Sequence, residues 1–259
     1  MKRWTRKRLT TAAALCLELG AGLLENGAET SRVEETIRLS GVAFAMEVEA
    51  MVHPTGITVS FGDGESITKV ARIKERVVNL DKIAELDCVS RELLLEPTDL
   101  DAFRKRVHSI RSAPGLYSAS QMMLSTAVSC ACLTLVVGGG VGEALAAMLA
   151  GCVSRVGLDN FGSGFPSFFS LFAVGLVSTV FGLFGASFYG LSTEFIVVGS
   201  LLYQMPGLAF VSAMRDLMAG ELVAGNARLS EAILVALGMA SGVIAGLSFA
   251  VRLGWEAGV

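Results

Sequence analysis

The charges of this chain are confined almost entirely to its front. Of its 21 Lys and Arg residues, all but Arg155, Arg215, Arg228 and Arg252 lie before residue 117. Of its 24 Asp and Glu residues, all but Glu143, Asp159, Glu194, Asp216, Glu221, Glu231 and Glu256 do the same. A water-soluble domain as long as the remainder would need a charged surface, and this stretch has almost none. Two regions with different solvents follow: residues 1–113 as a soluble domain and residues 114–259 as a helical bundle in a bilayer. The mean hydropathy of +0.60 averages the two and understates the second. A net charge of −3 lacks the basic footprint of a nucleic-acid binder.

A spanning helix needs about 20 mostly apolar residues. Spans are expected near 117–137, 141–156, 167–188, 195–214 and 229–253, about five in all. Gly138-Gly139-Gly140 breaks the first from the second, which is short enough either to cross or to re-enter. Residues 157–166 read as a polar, glycine-rich connection, and 215–228 as a loop. With the front domain in the cytoplasm, Arg155, Arg215 and Arg228 all fall on that side. The opposite connections carry Glu143 and Glu194 but no Lys or Arg, and only Arg252 lies outside. The expectation is a multi-pass protein of the cell (inner) membrane, its N-terminal domain cytoplasmic.

The front domain reads as α+β. Helices are expected over 10–24, 31–44, 80–94 and 98–110, and strands over 47–52, 56–61 and 67–71. Asn26-Gly27 is a turn, and Ser31 with Glu34 has the spacing of a capping box. Gly62-Asp63-Gly64 reads as a hairpin turn, since no helix follows to make it a phosphate loop. The basic start before an apolar stretch suggests a signal peptide, but Glu18 interrupts the stretch and no small-x-small cleavage site follows. An amphipathic first helix fits better, its basic cluster near anionic lipid.

Little here points to catalysis. The five cysteines form no CxxC, so small buried thiols are expected rather than zinc ligands or disulfides. His53 and His108 stand in different elements, and His53 precedes the tight link Pro54-Thr55-Gly56. No catalytic residue, metal ligand or cofactor is assigned. The membrane half says more. Gln204, Pro206 and Gly207 fall inside the fourth span, where proline removes a backbone donor. A plain kink and a break lining a substrate path are both open there. Arg215, Asp216, Arg228 and Glu231 follow, as end-of-span pairs or as a gate for an anion. Gly238, Gly242 and Gly246 recur every fourth residue, a face for close helix packing or for sliding.

The run Met205-Pro206-Gly207-Leu208-Ala209, Arg215-Asp216-Leu217, Gly220, Gly225, Ala227-Arg228-Leu229 and Glu231-Ala232 resembles the threonine/serine exporter family. So does the front domain, in the run from Leu24-Glu25-Asn26-Gly27-Ala28-Glu29 to Thr30-Ser31-Arg32-Val33-Glu34. Pro54-Thr55-Gly56-Ile57 and Asn79-Leu80-Asp81-Lys82 look like its later motifs. Ser212 departs from it, standing where many members carry asparagine. The resemblance implies a secondary exporter subunit for small carboxylate-bearing metabolites, either threonine and serine or C4-dicarboxylates such as succinate. It also implies a smaller membrane subunit as partner, and an oligomer. Gln204, Pro206, Gly207, Ser212, Arg215, Asp216, Arg228 and Glu231 become candidates for the substrate path. The chain has no GxxxxGK[ST] loop to bind ATP. A membrane-tethered enzyme, or a sensor or scaffold acting through the front domain, is the alternative.

Overall fold

The computed structural model describes residues 6–62, 66–74, 76–95, 99–161 and 167–254. The chain packs as two units, one of Met1–Pro114 with Val211–Leu229, the other of Gly115–Phe210 with Ser230–Val259.

In the first unit, α1 (Arg6–Glu25) is rich in Ala and Leu, which form helix at little cost. Gly27 ends it at φ +91, a left-handed position that suits glycine. Its N–H donates to Leu24 O and that of Ala28 to Leu23 O, both at 3.1 Å, which closes the last turn. α2 (Thr30–Ala43) starts three residues on. The sheet of β1 (Val48–His53), β2 (Gly56–Phe61) and β3 (Ile67–Arg72) is antiparallel in the order β1-β2-β3. His53 pairs with Gly56 across the turn Pro54-Thr55, and Phe61 with Ile67. Alternation buries Val52, Ile57, Val59 and Phe61 on one face. That face meets Leu15, Leu19 and Leu23 of α1 and Ile37 of α2 in one core. The helices α3 (Leu80–Leu95) and α4 (Leu100–Ser112) add Leu86, Leu93, Phe103 and Val107 to it.

The capping box expected at Ser31 and Glu34 does not form. Glu29 is the N-cap of α2 and makes no side-chain cap bond. Glu34 instead accepts from the Val52 N–H at 2.8 Å, because β1 supplies a donor that the helix would otherwise have supplied. Asp63 and Gly64 of the expected hairpin turn, and Thr98 at the start of the helix expected over 98–110, lie outside the described residues. Cys16 and Cys130 are buried as expected, whereas Cys88 and Cys132 are exposed. Burial pushes the Cys16 thiol up to about 12.

The second unit is helical. α5 (Ala119–Val136) opens on a capping box in which Ser118 accepts from Gln121 N and Gln121 accepts from Ser118 N. α6 (Val141–Phe161) is longer than expected, so 157–161 is helix rather than connection. Two local bonds carry the helix on: Arg155 pairs with Asp159 one turn later, and Asn160 donates back to Val156 O. α7 (Ser167–Tyr189) follows. The expected single span over 195–214 is two helices, α8 (Thr193–Leu202) and α9 (Gly207–Met218), bent by 55° at a break. α10 (Leu222–Arg252) starts well before 229, so the expected loop over 215–228 is a tight turn between helices.

Among the described residues, four helices are long and apolar enough to cross a membrane, and up to five spans result if the bent pair is one. Their outward faces are apolar, with Leu145, Leu149 and Val153 exposed on α6 and Ile233, Leu237 and Ile244 on α10. Such faces belong in hydrocarbon, with the backbone satisfied inside each helix. α7 and α10 approach backbone to backbone: a Cβ on Gly238 would lie 2.9 Å from Phe168 O, and one on Gly242 would strike Phe172 O. Glu143 ties two turns together, its carboxylate accepting from Gly140 N at 3.0 Å and from Ser192 N at 3.2 Å.

Candidate functional site

The turn between α9 and α10 is made by Gly220, at φ +89, and by Glu221 N donating to Asp216 O at 2.9 Å. It brings the last turns of α9 beside the first turns of α10. Ser212, Ala213 and Asp216 share one buried face of α9, four and three residues apart. Arg228 comes from the second turn of α10 and is equally buried.

These side chains meet the α1–α2 turn within the first unit. Thr30 Oγ1 donates to Asp216 Oδ1 at 3.1 Å. Arg228 Nη2 donates to Ala28 O at 2.6 Å, and its Nε lies 3.2 Å from Asp216 Oδ2. That last N–H is not aimed at the oxygen, so the attraction there is Coulombic rather than a hydrogen bond. The side chains of Arg228 and Asp216 are only 7% and 1% exposed, so neither charge is screened by water. Arg215 points the other way. Its Nη1 donates to Glu29 Oε1 at 2.8 Å, and its side chain is 67% exposed. Three consecutive residues, Ala28, Glu29 and Thr30, thus engage Arg228, Arg215 and Asp216 in turn.

Glu34 lies nearby on α2. Burial pushes its carboxyl above the ordinary value and the Glu221 charge adds to this, while the Val52 N–H and His53 act against it. His53 Nδ1 is buried without a hydrogen-bond partner among the described residues. Among the described residues, no three His, Cys, Asp or Glu group to hold a metal ion.

Of the residues named from sequence, the fold joins Arg215, Asp216 and Arg228 in one cluster and sets Ser212 on the Asp216 face. Gln204, Pro206 and Gly207 belong to the second unit and form the break. Gln204 N donates to Leu201 O, and Pro206 O accepts from Phe210 N as α9 begins. Glu231 is exposed on α10, also in the second unit. Sequence reasoning missed the roles of Ala28, Glu29 and Thr30, which enter there only as part of a motif. A signal was present: Ala28, Glu29 and Thr30 directly follow a helix-ending Asn26-Gly27, where the chain is aimed by a fixed turn.

A family model described as "Putative threonine/serine exporter" matches residues 14–250. A protein of Klebsiella aerogenes named "Probable succinate transporter subunit" is 26% identical over 249 residues, covering 93% of this chain and 95% of that protein. The Escherichia coli protein of the same name is 24% identical, with the same shares covered. The "Threonine/serine exporter" of Corynebacterium glutamicum is 22% identical over 92% of this chain, but only 50% of its own length is matched. No solved structure matches the chain.

Proposed function

Because the chain belongs to the threonine/serine exporter family, we propose that it is the larger subunit of a two-chain secondary exporter of small carboxylate-bearing metabolites. The substrate is threonine and serine or a C4-dicarboxylate such as succinate. The observation that carries this is the pattern of coverage. Two relatives named "Probable succinate transporter subunit" are matched over 95% of their length, while the Corynebacterium exporter is matched over 50% of its own. A smaller membrane subunit would supply the other half. These relatives are named for transport, which favours export over an enzyme or a scaffold.

Arg215 supplies the chemistry of access. It holds a carboxylate already, that of Glu29, in a pair open to solvent. A substrate carboxylate takes the place of Glu29 there, since a guanidinium offers two parallel donors to either. The buried Asp216–Arg228 pair is the fixed post against which this exchange happens. The break at Gln204, Pro206 and Gly207, in the second unit, offers irregular backbone of the kind that lines a substrate path.

One efflux assay tests both points. Liposomes carrying this chain together with a smaller family subunit should release preloaded succinate or threonine, and liposomes carrying this chain alone should not. In the complete system, Arg215→Ala and Arg215→Lys should both lower efflux at least ~10-fold, the loss expected for a charge-assisted contact. Full efflux by the chain alone would refute the two-chain reading. Wild-type efflux from Arg215→Lys, at normal membrane abundance, would return Arg215 to a surface ion pair.

The orientation proposed is N-terminal domain in the cytoplasm, because Arg155, Arg215 and Arg228 then share that side. Reporter fusions at Gly140 and at Val259 should both read external. A cytoplasmic signal at Val259 would mean an even number of spans.

A further inference from the structure

The first unit contains a groove of about 480 Å³ between α1 and β3, outside the proposed substrate path. α1 is buried around most of its circumference, and Ala14, Glu18 and Glu25 are half-open residues on its groove side. Arg111 closes this wall from the end of α4. Its Nη2 donates to both carboxylate oxygens of Glu25, at 3.0 and 2.8 Å, and its Nη1 lies 3.5 Å from Glu18 Oε1.

The opposite wall is β3, where the four consecutive residues 69–72 all line the groove. Neighbours on a strand point to opposite faces, so four in a row mean that the groove follows the strand's edge. β3 is an outer strand of the sheet, and its free edge presents backbone N–H and C=O groups. Lys69 and Arg72 stand on this wall, and neither forms an ion pair with a described residue. The space exists because the residues facing it include Ala14, Ala21 and Ala71. Its size falls within the range of roughly 300–1,000 Å³ usual for small-ligand sites.

We propose that this groove is a second site for a small metabolite carboxylate, held by Lys69, Arg72 and the free edge of β3. The opposite wall suits either kind of ligand. Glu18 faces the ammonium of an amino acid, whereas Arg111 adds a cation for the second carboxylate of a dicarboxylate. A site here lets the front domain sense the cargo apart from the path. The choice of ligand class rests on the exporter reading; the groove's charges and shape do not.

The test is isothermal titration of the purified full-length chain in detergent, with succinate and L-threonine as separate probes. The variants are Lys69→Gln with Arg72→Gln, Ala14→Leu, which fills the groove, and Gly157→Ala, where an added Cβ meets nothing within 4 Å. Wild type should bind one of the two probes, which identifies the ligand. Both groove variants should weaken that binding at least ~10-fold, the loss of a charge-assisted contact, and Gly157→Ala should leave it in place. Unchanged binding in both groove variants, equal weakening in Gly157→Ala, or no binding of either probe by wild type would each overturn the proposal. Efflux from the complete two-chain system judges the exporter reading separately, and its failure beside intact groove binding would refute that reading alone.

Discussion

Replacing Asp216 by alanine should cost about 3–5 kcal/mol of folding stability, the usual result of removing one partner from a buried ion pair. The size comes from what is left behind. Arg228 would keep its charge at 7% exposure with its carboxylate gone, and Thr30 would lose the acceptor of its hydroxyl. Desolvation of a buried guanidinium that has lost its carboxylate is more costly than loss of a surface contact. The exposed Arg215–Glu29 pair is the internal comparison, and Arg215→Ala should change stability by about 1 kcal/mol or less. Thermal unfolding in detergent and abundance in the membrane would measure both. Asp216→Leu combined with Arg228→Met should recover most of the loss, because an apolar pair of similar volume removes the desolvation cost altogether. That double variant should fold and still fail to export. Wild-type stability of Asp216→Ala would mean that the Asp216–Arg228 pair does not hold this part of the fold together.

Gly242→Val should be nearly as damaging, for a steric reason. A Cβ at Gly242 would strike Phe172 O and lie 2.9 Å from Leu176 N, and both are backbone atoms of α7. No rotamer change relieves such a clash, so α7 and α10 must move apart. Gly175 faces the same crossing from the other side, where a Cβ would lie 3.1 Å from Val243 N. In a bilayer, close packing of this kind replaces the hydrophobic effect as the force between helices. Overpacking costs about 1–3 kcal/mol and occasionally more, and backbone contact places this site at the upper end. Gly157→Ala is the control, since nothing lies within 4 Å of a Cβ there. Membrane abundance and thermal midpoint should fall sharply for Gly242→Val and stay level for Gly157→Ala. Equal behaviour of the two would mean that α7 and α10 are not in backbone contact at Gly242.

The large features of this fold were legible because they are carried by local statistics. Loss of charge after residue 117 marks the apolar helices, and the His53-Pro54-Thr55-Gly56 link marks the first hairpin. What was misread turned on residues whose local signal is ambiguous. Gly220 and Gly225 together resemble a loop, yet only Gly220 turns the chain, while Gly225 sits inside α10 against Leu217. The polar run at 157–161 resembles a connection, yet Arg155–Asp159 and Asn160 bonded to Val156 O continue the helix through it. Pro206 announces a disturbance without saying whether the helix bends or stops. The contact of Thr30 with Asp216 was beyond any spacing rule, since the two are 186 positions apart. Only the shared membership of both stretches in family motifs connected them.

That separation also sets a timetable for synthesis. The first unit includes Val211–Leu229, so the ribosome must make the intervening stretch before the unit has all its parts. At roughly 5–20 residues per second, the hundred or so residues after Pro114 take on the order of 5–20 s. Through that interval the nascent front domain displays Ala28 O, Glu29 and Thr30 without the Arg228, Arg215 and Asp216 side chains they will finally hold. Helices α5 to α8 are delivered to the membrane while it waits. The closing contact is therefore a late event, made only after the apolar helices preceding it have left the ribosome.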